Sequence, residues 1–209
     1  MTELRAASAK QTARVLAVVL GIWFLAALAV SVSGVLYRVP APVVGAVNAA
    51  LVSLSLLAAF FVRPLRAWVQ SLPLRGLVLF HVTRFVGVAF LVLYASGTLP
   101  GEFALFAGWG DIAVAASALA VVSLAVPVTD RLRWWAVLAW NVFGLLDILN
   151  VLRMAVRLGL ADMDQIAVMT AFPMSLLPTF LVPLVIVTHV LIFVRLWQLR
   201  SRPAIRYAA

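Results

Sequence analysis

Residues 15–37 read VLAVVLGIWFLAALAVSVSGVLY, a run from Val15 to Tyr37 without one charged side chain. About 20 mostly apolar residues suffice for a helix to cross ~30 Å of hydrocarbon. The run is apolar on every side rather than along one stripe, which is the pattern of a helix surrounded by lipid or by other apolar helices. Five further stretches read the same way: Pro42–Val62, Leu77–Ser96, Phe103–Val126, Trp134–Leu152 and Leu176–Leu196. None shows the period-two alternation in ~10-residue segments that strands of a membrane β-barrel need. The sequence therefore predicts an all-α fold, a polytopic membrane helix bundle of six transmembrane helices.

Composition points to the same class. Of 209 residues, 66% are hydrophobic and 11% charged, the mean hydropathy is +1.15, and there is no cysteine. A soluble domain carries ~25% charged residues, so a soluble globular fold is excluded. A disordered chain, a zinc-thiolate domain and a disulfide scaffold are excluded with it. No loop is long enough to fold alone, so residues 1–209 are expected to form a single transmembrane domain with no soluble domain. The longest connection, about 154–175, contains Asp162, Asp164, Gln165 and Pro173. It is expected to form a short outer helix or part of a cap.

Arginine and lysine placement sets an orientation, because cytoplasmic segments carry the excess of these residues. With the N-terminus inside, the cytoplasmic segments hold Arg5, Lys10, Arg14, Arg63, Arg66, Arg75, Arg131, Arg133, Arg195, Arg200, Arg202 and Arg206. The outer segments hold Arg38, Arg153 and Arg157, and Arg84 falls inside the third span. That alternation requires an even number of spans, with the N-terminus and C-terminus both cytoplasmic. The net charge of +9 is spread over four such segments. It is read as topogenic charge near anionic headgroups, with no nucleic acid as partner. The first apolar run exceeds the ~7–15 residues of a signal-peptide core and is expected to be retained.

Ionisable residues at membrane depth are costly and usually face the bundle interior. Here they are His81, Arg84, Asp111, Asp147 and His189, with Asn141 and Asn150 as uncharged companions. His81 and His189 each lie six residues from a cytoplasmic arginine, roughly 9 Å deep at 1.5 Å per residue. Asp111 and Asp147 fall in the outer half and Arg84 near the midplane. His81 and Arg84, three apart, share a face; so do Trp140, Asp147 and Asn150. Gly108, Gly110 and Gly144 precede the aspartates and permit close helix approach. Trp68, Trp134, Trp135 and Trp197 suit an aromatic belt, whereas Trp109 and Trp140 lie deeper, as packing residues or cavity lining.

The segments Leu99-Pro100-Gly101-Glu102-Phe103-Ala104, Gly108-Trp109-Gly110-Asp111, Trp140-Asn141 with Gly144 and Asp147, and Leu177-Pro178-Thr179-Phe180 through Pro183 to His189 resemble an uncharacterised family of small bacterial multi-spanning membrane proteins. The resemblance covers spans three to six. It implies a multi-pass protein of the cytoplasmic membrane of a bacterium and transfers no activity or ligand.

Walker, H-E-x-x-H and G-x-S-x-G patterns are absent and there is no cysteine nucleophile, so the chain is not expected to be an enzyme. Arg84 is expected either to pair with Asp111 or Asp147 or to serve an anionic substrate or a proton. The leading expectation is a protein that binds or translocates a small solute or proton through Arg84, Asp111, Asp147, Asn141 and Trp140, with no cofactor. A second is a redox protein holding haem b between His81 and His189. Zinc would need Asp111 or Asp147 as further ligands, and these sit higher. A third is an accessory subunit of a membrane complex. The expected partners are the lipid bilayer, a small-molecule solute, and another copy or a membrane-complex subunit.

Overall fold

The computed structural model describes the backbone of residues 2–200 and the side chains of residues 10–200. Arg202 and Arg206, and the side chain of Arg5, all counted in the orientation, lie outside the described residues. Every regular element within them is helical: α1 Thr2–Ser33, α2 Ala41–Phe61, α3 Arg63–Ser71, α4 Leu74–Phe80, α5 Gly87–Ala95, α6 Gly101–Leu124, α7 Arg131–Ala161 and α8 Val182–Arg200. Short 3₁₀ segments occupy Val35–Arg38, His81–Val86 and Met163–Thr170, and Leu177–Leu181 forms a π-turn. Six helical runs are long and apolar enough to cross a membrane.

The boundaries follow local chemistry. The first span, expected to reach Tyr37, stops at Ser33 because Gly34 takes φ +69°, a left-handed conformation that ends a helix. Proline stands near the start of α2 and α3, where its missing N–H has no helical partner to lose. α7 extends nine residues past the expected Leu152, so Arg153 and Arg157, expected in a loop, are helical. Its first turn is capped by Asp130, whose carboxylate accepts the Arg133 N–H at 2.9 Å. The 154–175 connection contains the 3₁₀ segment Met163–Thr170, kinked at Ile166.

α3 was not anticipated, since its residues read as a basic connection. Leu65, Trp68 and Val69 make one half-buried face, while Arg63, Arg66 and Gln70 on the others are exposed. That is an amphipathic helix too short and too charged to be a span.

Among the described residues the helices form two compact units, one comprising 2–72 with Ala167–Leu184, the other Pro73–Ile166 with 185–200. The first unit centres on an interrupted helix. Pro183 has no N–H, so Thr179 C=O loses its i+4 donor and Pro178 C=O its i+5 donor. Between them the Val182 N–H bonds Leu177 C=O, the five-residue step of a π-turn. Trp23 Nε1 then donates to Thr179 C=O at 2.9 Å, and Asn48 Nδ2 to Pro178 C=O at 2.8 Å. The Ser31 and Ser175 hydroxyls, both buried, bond one another. Phe180 is held edge-on by Trp23 and Phe24, each at 5.3 Å between centroids. α1 and α2 thus contribute one side-chain donor each to carbonyls that proline strips.

The second unit is built around α6, whose small inward residues, Ala104, Ala107, Gly108, Ala115 and Ala118, are buried. Large apolar side chains point outward across the chain, Ile22, Leu54, Phe106 and Leu146 among them. An outer surface this apolar is what lipid contact demands and water does not tolerate in large patches. Trp109 is 60% exposed and joins that outer surface, so it does not line an interior cavity beside Asp111. Trp134 is also not a belt residue: it is buried and its Nε1 donates to Leu196 C=O at 2.9 Å.

Candidate functional site

The polar residues predicted from the sequence all fall in the second unit, and the third helical run positions two of them. Between α4 and α5 the run tightens into the 3₁₀ segment His81–Val86. Three residues per turn stack side chains at i and i+3, so His81, Arg84, Gly87 and Phe90 all face inward and all are buried. A plain α-helix would spread the same four positions around the axis.

Arg84 is 1% exposed and its guanidinium makes three bonds. Nε donates to Asp111 Oδ1 at 2.6 Å, Nη1 to the Gly144 C=O at 2.8 Å, and Nη2 to Asp147 Oδ2. One planar fork therefore joins α6, α7 and the 3₁₀ segment, with three donors in fixed directions that lysine's single ammonium cannot reproduce. The sequence left open whether Asp111 or Asp147 is the partner; both are.

Glycines make the approach possible. A Cβ on Gly87 would lie 2.6 Å from Gly108 O and 2.7 Å from Asp111 Cβ, so the 3₁₀ segment and α6 touch backbone to backbone. A Cβ on Gly110 would strike the Asp147 carboxylate. Gly108 receives the side chain of Leu91. Gly108 and Gly144, each three residues before an aspartate, thus serve different ends, since the Gly108 carbonyl meets Gly87 while the Gly144 carbonyl meets Arg84.

His81 and His189 are both fully buried, with ring centroids 4.0 Å apart and planes tilted by 37°. Trp140 sets its ring edge-on to His81 at 5.3 Å, and its Nε1 donates to Ser117 Oγ at 3.1 Å and Val114 C=O at 3.3 Å. Asn141 grips His189 twice, Nδ2 donating to the His189 C=O at 3.1 Å while Oδ1 meets the ring Nδ1 at 2.8 Å. Trp140 and Asn141, grouped with the carboxylates by the sequence, belong instead to the histidine pair. Asn150 belongs to neither: its Oδ1 accepts from Arg153 Nε and Nη2.

The hydrogen bonds fix the histidine tautomers. Because Asn141 Nδ2 must face a carbonyl, Asn141 Oδ1 faces His189 and accepts, so His189 carries its proton on Nδ1. The Thr188 hydroxyl donates to Val185 C=O at 2.9 Å, so the 3.3 Å contact with His81 is donated by His81 Nε2. The remaining nitrogens, His81 Nδ1 and His189 Nε2, are buried and have no hydrogen-bond partner. Thr188 was missed in the sequence, where a threonine in an apolar helix carries no distinguishing signal.

A haem ligated on both faces lies between its two imidazoles. Rings in contact at 4.0 Å leave no gap for a macrocycle, so this pair does not fit bis-histidine haem.

A model described as Domain of unknown function (DUF8737) matches residues 41–197, three-quarters of the chain. The chain belongs to this family. The DUF8737 match begins at Ala41, so it takes in α2 and the Asn48 donor as well as the Arg84 and histidine clusters, a wider extent than the third to sixth spans. No curated protein and no solved structure matches the chain.

Proposed function

We propose that this DUF8737 protein spans a bacterial cytoplasmic membrane six times, with both termini inside, and carries protons, alone or coupled to a small solute, through the Arg84 cluster. One observation supports it above the others: a single buried guanidinium is shared by two carboxylates. With both carboxyls ionised the trio carries a formal charge of −1, and one bound proton makes it neutral. In a medium of low dielectric that difference is large, so the cluster has a built-in place for one transferable proton. The charged and titratable side chains around it are Arg84, Asp111, Asp147, His81 and His189, drawn from the third, fourth, fifth and sixth helical runs.

The decisive experiment is proton flux in proteoliposomes containing a pH-sensitive dye. Asp111→Asn and Asp147→Asn are each expected to abolish flux, and Arg157→Gln, in the exposed pair with Glu102, to leave it intact. Unchanged flux in both aspartate variants overturns the reading. Orientation is tested separately, because the chain has no cysteine. A thiol placed by Thr129→Cys should react only with reagents admitted from the cytoplasmic side, and one placed by Asp162→Cys only from the outside.

A further inference from the structure

The first unit carries an unbalanced charge of a different kind, on its surface. Its described side chains include five cations, Lys10, Arg14, Arg38, Arg63 and Arg66, and neither aspartate nor glutamate. We propose that Lys10, Arg14, Arg63 and Arg66 form a binding surface for anionic phospholipid at one end of this unit, with α3 as its platform. This surface stands independently of proton transport.

The countercharge has to come from outside. In the second unit Arg84, Arg133 and Arg157 each meet a carboxylate. Among the described residues no ion pair involves Lys10, Arg14, Arg63 or Arg66, and all four are exposed. The arginine and lysine excess of cytoplasmic segments accounts for cations at this end. That rule places no limit on acids, so it does not account for residues 10–72 and 167–184 holding none.

The fold gathers these four cations. α3 packs against both α1 and α2. Leu65, Trp68 and Val69 form its half-buried face, which leaves Arg63 and Arg66, three apart, as neighbours on the exposed side. Lys10 and Arg14, four apart, are neighbours on α1 in the same way. The 34–40 turn joins the other ends of α1 and α2. Measured from there at 1.5 Å per residue, Arg14 lies roughly 28 Å along α1 and Arg63 roughly 33 Å along the returning chain. The two pairs therefore stand at nearly one level, on the end where α3 meets α1.

What lies beside the cations selects the ligand. Val15 follows Arg14 directly, and Phe61 and Val62 lead directly into Arg63; these three are 58%, 77% and 48% exposed. The change from exposed charge to exposed hydrocarbon thus falls at one level on both chains. A soluble anion or polyanion would match the cations and leave that border unused. A phospholipid with a net negative headgroup uses both, its phosphate on the arginines and its acyl chains along the valines and phenylalanine. Arginine suits the first task, because its fork takes two phosphate oxygens through parallel hydrogen bonds. A basic face on an amphipathic helix at a membrane surface draws anionic lipid over zwitterionic lipid. In the orientation proposed above, that lipid belongs to the cytoplasmic leaflet.

The test is native mass spectrometry of the full chain in detergent, offered equal amounts of phosphatidylglycerol and phosphatidylcholine. Wild type is expected to retain phosphatidylglycerol in preference. Each cation near an anionic surface contributes a factor of about five, so Arg63→Gln with Arg66→Gln should weaken phosphatidylglycerol binding about tenfold or more and leave phosphatidylcholine unchanged. Lys10→Gln with Arg14→Gln should do the same. Arg153→Gln with Arg157→Gln removes equal charge from exposed positions of the second unit and should leave the preference intact. Glycerol phosphate, which carries the phosphate without acyl chains, should not displace the lipid from wild type; this arm needs no variant. Equal retention of the two lipids by wild type overturns the proposal. So does a loss no larger in the two first-unit pairs than in the second-unit pair. Displacement by equimolar glycerol phosphate also overturns it, and would assign the cations to a soluble phosphate instead.

Discussion

The two units handle buried polarity in opposite ways. In the first, the polar side chains buried among the described residues are neutral: Asn48, with the half-buried Trp23, donates to carbonyls that Pro183 frees, and Ser31 bonds Ser175. The deficit is a hydrogen-bond deficit and the side chains close it. In the second, full charges are buried, and one guanidinium against two carboxylates cannot reach electrical balance through protein groups alone. Beside it, two imidazole nitrogens remain open. A closed neutral network holds helices together; the unbalanced one is what the proton reading proposed above rests on.

The largest expected effect comes from breaking the charged network. Arg84→Ala leaves two carboxylates without their partner and should cost about 3–5 kcal/mol of unfolding free energy in detergent. Adding Asp111→Asn or Asp147→Asn should recover part of that cost, which a double-mutant cycle on thermal unfolding measures. Strict additivity for both aspartates would show that the trio is not a unit.

Next in size is the close approach that builds the trio. Gly87→Ala drives a Cβ into Gly108 O and Asp111 Cβ, groups that cannot swing aside, and should destabilise by roughly 1–3 kcal/mol. Gly76→Ala, whose Cβ meets only the Pro73 ring at 3.5 Å, is the matched control and should be neutral or slightly stabilising. Equal melting temperatures for the two variants would contradict the backbone contact.

The neutral network should yield less. Trp23→Phe keeps a ring against Phe180 and removes only the donor to Thr179 C=O, at a cost of about 0.5–1.5 kcal/mol. In a Pro183→Ala background the residue-183 N–H can serve that carbonyl, so the same substitution should become nearly harmless. If its cost is unchanged there, the bond does not answer the proline.

The smallest effect belongs to the exposed cap of α7. The Arg133 N–H holds the Asp130 carboxyl below its ordinary range. A depressed carboxyl contributes stability above its unfolded pKa, about 3.9, and loses it as pH falls through the folded value. The melting-temperature gap between wild type and Asp130→Ala should therefore be present near neutral pH and close in acid. A gap that persists in acid would mean the carboxylate is not the cap.

Much of this was written plainly in the chain. A run such as Val15–Ser33 is expected to be helical in hydrocarbon, because without water an isolated segment satisfies its backbone groups only within itself. The rarity of Arg84, Asp111, Asp147, His81 and His189 in such runs was enough to mark them as partners. α3 escaped because its charges resemble those of a loop, and its one half-buried face appears only once the helix exists. Trp109 misled because depth along a helix says nothing about which way a side chain faces.

What the sequence alone determined is the helical class, the number of long apolar runs and the identity of the buried ionisable residues, since each follows from residue-by-residue solvation. Only the tertiary structure decided how they meet. The 3₁₀ segment brings His81 and Arg84 into line, glycine at 87 and 110 lets the helices close, and the Arg84 fork takes both aspartates at once. The bare nitrogens are a further step removed. They exist because Asn141 and Thr188, on separate helices, fix where each imidazole proton sits, and a tautomer is set by three-dimensional neighbours rather than by position in a chain.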